Sequence, residues 1–323
     1  MVFLKKKTVV EISKSCLRIV EGTRDGGMIE VLKLAESNFN EPIIKEDTKV
    51  DDILLQMELK DIVSKNGLYK KDVSVILSGI SNILIREFEM PVLEEKQMYK
   101  AIRNEARQYF PINIDSYVFD YKQLQQSKEK NAVRQKVLVV GVYKLLIDGI
   151  KNAFKNASMN LTKIDIEPNS ISKLFYTNFS QSKADGQTSF IIANVTRNGV
   201  SVSVVSKGHF AASKLFIIPE IELMFREENN SSFEIEFSVI EDLISDSIVK
   251  FYDFLRTKDD PINDISVIYL TGEICQHIDI TGILKRRVPV EVVLADDFKI
   301  IKKNNNINKN TLFAYSTAIS GLL

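Results

Sequence analysis

Residues 190 to 205 restart a pattern that residues 8 to 20 have already used, and this repetition constrains the fold more than any other feature of the chain. Thr8 to Ile12 and Cys16 to Val20 are β-rich runs on either side of Ser13-Lys14-Ser15. Phe190 to Asn194 and Val200 to Val205 flank the turn Thr196-Arg197-Asn198-Gly199 in the same way. A third strand follows each pair, from Met28 to Ala35 after Gly26-Gly27, and from about Phe210 to Phe216. Val9-Val10-Glu11-Ile12 and Ile191-Ile192-Ala193-Asn194 thus hold equivalent places in two similar halves. With 323 residues, each half is long enough to bury its own core.

Between these repeats the apolar spacing changes to a helical one. Ile53, Leu54, Met57, Ile62 and Val63 predict a helix from Asp51 to Lys65, with Gly67 as its C-terminal cap and Val73 to Leu77 as the next buried strand. Strand, helix and strand in that order imply an α/β layer. An α+β unit is expected to be inserted over 83–161. It would hold a strand at Ile83 to Glu89, a helix, strands near Val118 to Leu124 and Gln135 to Val142, and a helix from Lys144 to Ala157. The polar stretch Gln125 to Arg134 reads as the loop between its two later strands. This divides the chain into a first core (1–82 and 162–185), the insertion, a second core (186–217 and 264–323) and a reduced helical subdomain (218–263). That last unit carries a helical stripe from Glu236 to Leu255. Further helices are expected around His277 to Lys285 and from Thr311, with a solvated loop from Lys302 to Asn310.

Composition removes several classes of function. Hydrophobic residues make up 45% and charged residues 27%, which excludes a disordered or fibrous chain. Lys plus Arg equals Asp plus Glu at 43 each, so no global field recruits nucleic acid or anionic lipid. Cys16 and Cys275 lack metal-ligand spacing and read as free thiols in a reducing compartment. No run approaches the length of a membrane span, and Lys5-Lys6-Lys7 follow the short apolar start in the reverse order of a secretory signal, so a cytoplasmic protein is expected. His209 and His277 have no nucleophile motif beside them and read as structural or surface residues.

The run from Met98 to Tyr121 is the most distinctive local motif. Met98, Ile102, Ala106 and Tyr109 line one helix face, and Pro111 ends the helix at Tyr109-Phe110. The sequence E-A-R-Q-Y-F-P-I-N-I-D from Glu105, followed by Y-V-F-D-Y, closely resembles the signature of the PilM family of type IV pilus assembly, which is related to FtsA. Ile164-Asp165-Ile166-Glu167-Pro168 also resembles that family. The resemblance implies a bilobed, actin-like (FtsA-like, ribonuclease H-like) α/β fold with the α+β subdomain inserted in the first half. It also implies a nucleotide cleft between the halves, framed by two phosphate-binding turns and a glycine-rich adenosine loop.

Each of those three places departs from the family pattern. Ser13, Lys14 and Ser15 stand at the first turn, where glycine is usual. Asn194 and Thr196, in Asn194-Val195-Thr196-Arg197, replace an Asp-hydrophobic-Gly sequence and remove a carboxylate that would hold Mg²⁺ through water. Thr271, Gly272 and Glu273 keep one glycine of the adenosine run and add a negative charge. The expectation is a degenerate cleft with no catalytic residues, no metal and no required cofactor, Mg-ATP being the alternative ligand. The partner implied by the resemblance is the N-terminal cytoplasmic tail of a PilN-like inner-membrane protein, alongside other pilus assembly components. That would place the protein at the inner face of the membrane only through its partner. The tail would lie in a groove between the first core and the insertion, walled by Ile85, Phe88, Glu105, Tyr109, Phe110, Pro111 and Ile112. An active actin-like ATPase that polymerises with nucleotide is the runner-up; a sugar kinase is more distant, since no acceptor base is recognisable.

Overall fold

The two repeated strand runs are buried on both faces, as strands must be when helices cover both sides of a sheet. The computed structural model describes residues 5–109, 113–129, 132–179, 189–226, 237–257, 262, 264–302 and 307–323. In chain order the first half begins with β1 (Lys7–Ile12), β2 (Cys16–Asp25), β3 (Met28–Asn38) and a small hairpin of β4 (Ile44–Lys45) and β5 (Lys49–Val50). It continues with α1 (Asp52–Asn66), β6 (Val73–Leu77), β7 (Leu84–Pro91), α2 (Glu95–Tyr109), β8 (Tyr117–Glu129) and β9 (Ala132–Tyr143), and ends with α3 (Lys144–Asn156), β10 (Leu161–Ile166) and α4 (Glu167–Phe179). The second half has β11 (Ser189–Thr196), β12 (Gly199–Ser206), β13 (His209–Phe216), α5 (Pro219–Arg226) and α6 (Phe237–Thr257). β14 (Ile265–Thr271), α7 (Thr281–Arg287), β15 (Glu291–Leu294) and α8 (Lys309–Ser320) complete it.

Two five-stranded sheets carry the halves, in the orders β10-β6-β1-β2-β3 and β15-β14-β11-β12-β13. In each, a hairpin pairs antiparallel and two crossover strands add in parallel, so β1 corresponds to β11, β6 to β14 and β10 to β15. The helices correspond as well. α1 and α3 cover the outer face of the first sheet, with Leu55, Leu59, Ile150 and Phe154 in one core. α6 and α7 cover the second, with Ile240, Ile244, Ile248 and Leu284. α4 and α8 pack on each other between the sheets, where Phe175, Leu174, Leu312 and Ile319 meet Val9, Ile76, Phe190 and Ile192.

Local chemistry sets several boundaries. Asp51 accepts a hydrogen bond from Leu54 N–H at 3.0 Å and starts α1, and Gly67 ends it in the left-handed region at φ 55°. The inserted sheet has the order β7-β9-β8. Its apolar residues alternate, so Phe88, Val137, Val139, Tyr117 and Phe119 receive Met98, Ile102 and Ala106 of α2, while Ile85, Leu138, Val140 and Val142 turn toward the first half.

Four expectations change. α3 was expected inside the insertion, but it packs on α1 and leads into β10, which pairs parallel with β6, leaving the inserted sheet at 84–143. The stripe expected to form a helical subdomain is α6, which occupies the place of α1 in the second half because its apolar face fits the sheet there. The polar stretch Gln125 to Arg134 is not all loop, since β8 and β9 stay paired as far as Glu129 and Ala132. The helix expected from His277 starts at Thr281, after Asp279 accepts from Thr281 N–H at 3.0 Å and turns the chain. Among the described residues, no helix is long and apolar enough to cross a membrane.

Candidate functional site

The duplicated hairpins bring their turns to the junction of the halves, and side-chain oxygens already accept from amides of both turns. At the β1–β2 turn, Ser13 Oγ accepts from Cys16 N–H at 3.0 Å and Ser15 N–H at 3.3 Å. A glycine would leave both donors open; the serine hydroxyl turns them inward. Lys14 Nζ lies 2.8 Å from Asp47 Oδ1. At the β11–β12 turn, Asn198 N–H donates to Thr196 Oγ1 at 3.3 Å, and Arg197 N–H donates to Glu273 Oε1 at 3.0 Å.

Glu273 reaches that amide because the segment after β14 crosses directly over β11. Gly272 has φ 103°, and a Cβ there would stand 2.2 Å from Val195 O, so only glycine allows the crossing. The other carboxylate oxygen of Glu273 accepts from Arg18 Nη2 on β2, in the opposite half. Arg18 also donates through Nε to Glu36 Oε2 at 2.7 Å, and its guanidinium lies 5.9 Å from the Tyr315 ring centroid. The Arg18 side chain is only 4% exposed, so these carboxylates compensate a charge that burial alone would not tolerate.

A second polar cluster lies beneath. The Asn194 amide donates to Glu167 Oε1 at 2.9 Å and to Thr317 Oγ1 at 3.3 Å, tying β11 to α4 and α8. Thr271 Oγ1 is 3.2 Å from Ser316 Oγ. Glu11 is buried beside Arg18 with one carboxylate oxygen lacking a hydrogen-bond partner, and burial, opposed by Arg18, pushes its carboxyl up to about 7. Burial also raises Glu167, against the hydrogen bond from Asn194. Burial works against ionisation of Glu36, but the charge and hydrogen bond of Arg18 outweigh it and hold the group below its ordinary value. Cys16 and Cys275 are free and buried, their thiols pushed by burial to about 11 and about 12, which leaves both unreactive.

The junction therefore collects Ser13, Thr196, Thr271, Gly272, Glu273 and Asn194, all singled out from sequence, together with Arg18, Glu36, Glu11 and Glu167, whose contacts at this junction the sequence reading did not foresee. Arg18 was detectable: an arginine inside the apolar strand C-L-R-I-V requires a buried acidic partner. Lys14 and Ser15 instead border a recess of about 400 Å³ beyond the hairpin tips, with Phe39, Arg197 and Ile217.

Of the residues expected to wall a partner groove, Phe88 and Tyr109 meet, while Ile85 lies apart from them. Tyr109 stacks against Phe88 with ring centroids 5.4 Å apart, under the Arg86 guanidinium at 4.0 Å, on the α2 face of the inserted sheet. That face looks away from the first core, because even-numbered positions of β7 point to α2. Glu105 is half-buried on α2. Ile85 lies on the opposite face, in a separate recess of about 220 Å³ with Gly79, Ser81 and Leu215. Phe110, Pro111 and Ile112 lie outside the described residues.

A groove between the inserted sheet and the first half does exist, on the other face. It encloses about 330 Å³ and is lined by Val118 and Lys122 of β8, Leu138 and Val140 of β9, Lys151 of α3, Ile164 and Asp165 of β10, and Phe210 of β13. β8 and β10 are each the edge of their sheet. Burial disfavours the Asp165 carboxylate, but Lys173 and Lys163 overcome this and hold it below the usual range. The sequence signal for this face was the odd-even alternation of Tyr117-Val118-Phe119-Asp120-Tyr121-Lys122, in which Val118 opposes the aromatic face.

The family model described as type IV pilus assembly protein PilM matches residues 9–213. The chain is also similar to the solved PilM-PilN type IV pilus biogenesis complex, at 16% identity and a TM-score of 0.79 over 98% of this chain and 97% of that one. It resembles ethanolamine utilization protein EutJ from Carboxydothermus hydrogenoformans at 12% identity and a TM-score of 0.52, over 99% of this chain and 91% of the other. These likenesses and the duplicated sheets make the fold actin-like. With more than half of its length inside the family model, the chain belongs to the PilM family of type IV pilus assembly proteins.

Proposed function

We propose that this protein is a scaffold of the type IV pilus inner-membrane assembly platform, and that it holds the N-terminal cytoplasmic tail of a PilN-like membrane protein in the groove between the inserted sheet and the first half. The observation that carries this reading is the framing of an apolar groove by two strand edges, β8 and β10, both of which contribute lining residues. An extended peptide can hydrogen-bond along such an edge while its alternate side chains enter the groove. The neighbouring PilM-PilN complex supports a partner of this class. The protein is then peripheral at the inner face of the membrane, held by the tail.

The same reading treats the junction of the halves as a structural joint that needs no nucleotide. A phosphate chain requires open hairpin amides, an added cation and room beside the turns. Here Ser13 Oγ, Thr196 Oγ1 and Glu273 Oε1 already accept from those amides, and the Glu273 carboxylate would repel a triphosphate. Asn194 supplies a neutral amide where a carboxylate would hold Mg²⁺ through water, and that amide is committed to Glu167. Mg-ATP does not fit this donor set.

Calorimetry tests both parts. The tail peptide of a PilN-like protein is expected to bind with micromolar affinity, about 8 kcal/mol, and Mg-ATP to give no binding heat. Val118→Arg, in the groove, is expected to weaken the tail at least about tenfold; Tyr109→Ala, on the far face, is expected to leave its affinity unchanged. Tight Mg-ATP binding by the wild-type chain, or loss of the tail from Tyr109→Ala but not from Val118→Arg, would overturn the reading.

A further inference from the structure

Two donors from opposite halves converge on one carboxylate at the junction. Arg18 Nη2 comes from β2 of the first half and Arg197 N–H from the β11–β12 turn of the second, and they take separate oxygens of Glu273. The Arg197 guanidinium adds a longer contact, with Nε 3.8 Å from Glu273 Oε1. A buried guanidinium and a hairpin amide aimed at a single point form the donor set that recognises a phosphate-class anion. The anion at that point is covalently part of the chain. Its side chain is 10% exposed, and the close crossing at Gly272, where an added Cβ would stand 2.2 Å from Val195 O, fixes its backbone, so it is supplied at high effective concentration.

We propose that Arg18 and the β11–β12 turn form an anion-binding site for phosphate-class ligands, and that Glu273 is its permanent internal occupant, holding the two halves together where a diffusible anion would otherwise be needed. The proposal rests on the reading of the junction as independent of nucleotide and gives that independence a residue. Neutralising Arg18 with Glu36 alone would leave the second-half amide without an acceptor; Glu273 satisfies both in one step. Cutting Glu273 back leaves Arg18 Nη2 and the Arg197 N–H without their acceptor while Glu36 stays on Arg18 Nε, so the vacated point offers two open donors to an external anion.

The test compares the wild-type protein with Glu273→Ala and Glu273→Gln by thermal unfolding, in inorganic pyrophosphate and in sodium chloride of equal ionic strength. Glu273→Ala is expected to melt below wild type and to recover about 2 °C or more in pyrophosphate but not in chloride. Wild type is expected to show no difference between the two salts. Glu273→Gln keeps the shape of the side chain and blocks the site, so it is expected to be destabilised and indifferent to pyrophosphate. If Glu273→Ala does not fold in chloride, its refolding yield in pyrophosphate gives the same readout. An equal response of Glu273→Ala and wild type to pyrophosphate, or a Glu273→Gln protein as stable as wild type, would overturn the proposal. Binding of Mg-ATP by the wild-type chain would instead overturn the nucleotide-independent reading beneath it, so the two failures are distinct.

Discussion

Glu11→Gln should make this protein more stable above neutral pH. Glu11 is 2% exposed, one of its carboxylate oxygens has no hydrogen-bond partner, and its carboxyl is pushed from 4.5 to about 7 by burial, against the pull of Arg18. That gap corresponds to about 3 kcal/mol of preference for the protonated form in the folded state. Between the two values the folded chain holds a proton that the unfolded chain has released, so stability falls as pH rises. The contribution is therefore fully present below 4.5 and is lost as pH passes through about 7. Glutamine imitates the protonated acid and carries no such dependence. Urea unfolding at about pH 5 and about pH 8 should give nearly equal stabilities for the two proteins at the lower pH, and an advantage of about 2–3 kcal/mol for Glu11→Gln at the higher one. Glu36 and Asp165 cannot mimic the effect, because both are held below their ordinary values; they lose stability only as pH falls into the acidic range. If Glu11→Gln is no more stable than wild type at the higher pH, the carboxylate is compensated by contacts other than those described, and the reasoning fails.

Gly272→Ala should cost about 3 kcal/mol or more, because φ 103° is strained for alanine and its Cβ would stand 2.2 Å from Val195 O; a melting temperature close to wild type would show that the crossing over β11 can relax. Phe154→Ala on α3 should lose about 3–5 kcal/mol in chemical denaturation, since the ring is fully buried between α3, α1 and the first sheet. A loss under about 1 kcal/mol would instead place α3 outside the first core.

Periodicity carried most of the architecture. The strand-turn-strand runs, α1 with its Asp51 and Gly67 caps, and the amphipathic face of α2 were legible because each is decided by neighbours in sequence. What escaped reading depends on contacts between distant segments. Whether α3 joins the insertion or the first core is settled by the packing of Phe154 and Ile150 against α1, about 90 residues upstream in the chain, a relation that local patterning does not encode. The groove expected from sequence set Ile85 beside Phe88, yet alternation along β7 sends these two side chains to opposite faces of the inserted sheet. A period-2 strand with apolar residues on both faces, such as Tyr117 to Lys122, does not say which face is covered by α2. At the junction, the departures at Ser13, Thr196 and Glu273 were visible as residue types. Their common action, accepting the hairpin amides, required the geometry of all three turns together.

Phe210 gives the groove a mechanical meaning. It belongs to β13 of the second half, yet it is 3% exposed, packs within the first-half core and lines the groove. A peptide seated between β8 and β10 consequently touches three parts of the molecule at once: the inserted sheet, the first half and the second. Whatever such a peptide gains from that arrangement it gains against any hinge motion that would withdraw Phe210, so occupancy of the groove and the angle between the halves are thermodynamically linked. Under the proposed docking, a peptide held there would act as a clasp on the whole bilobed frame, and stiffening of the frame would, by the same linkage, lengthen its stay.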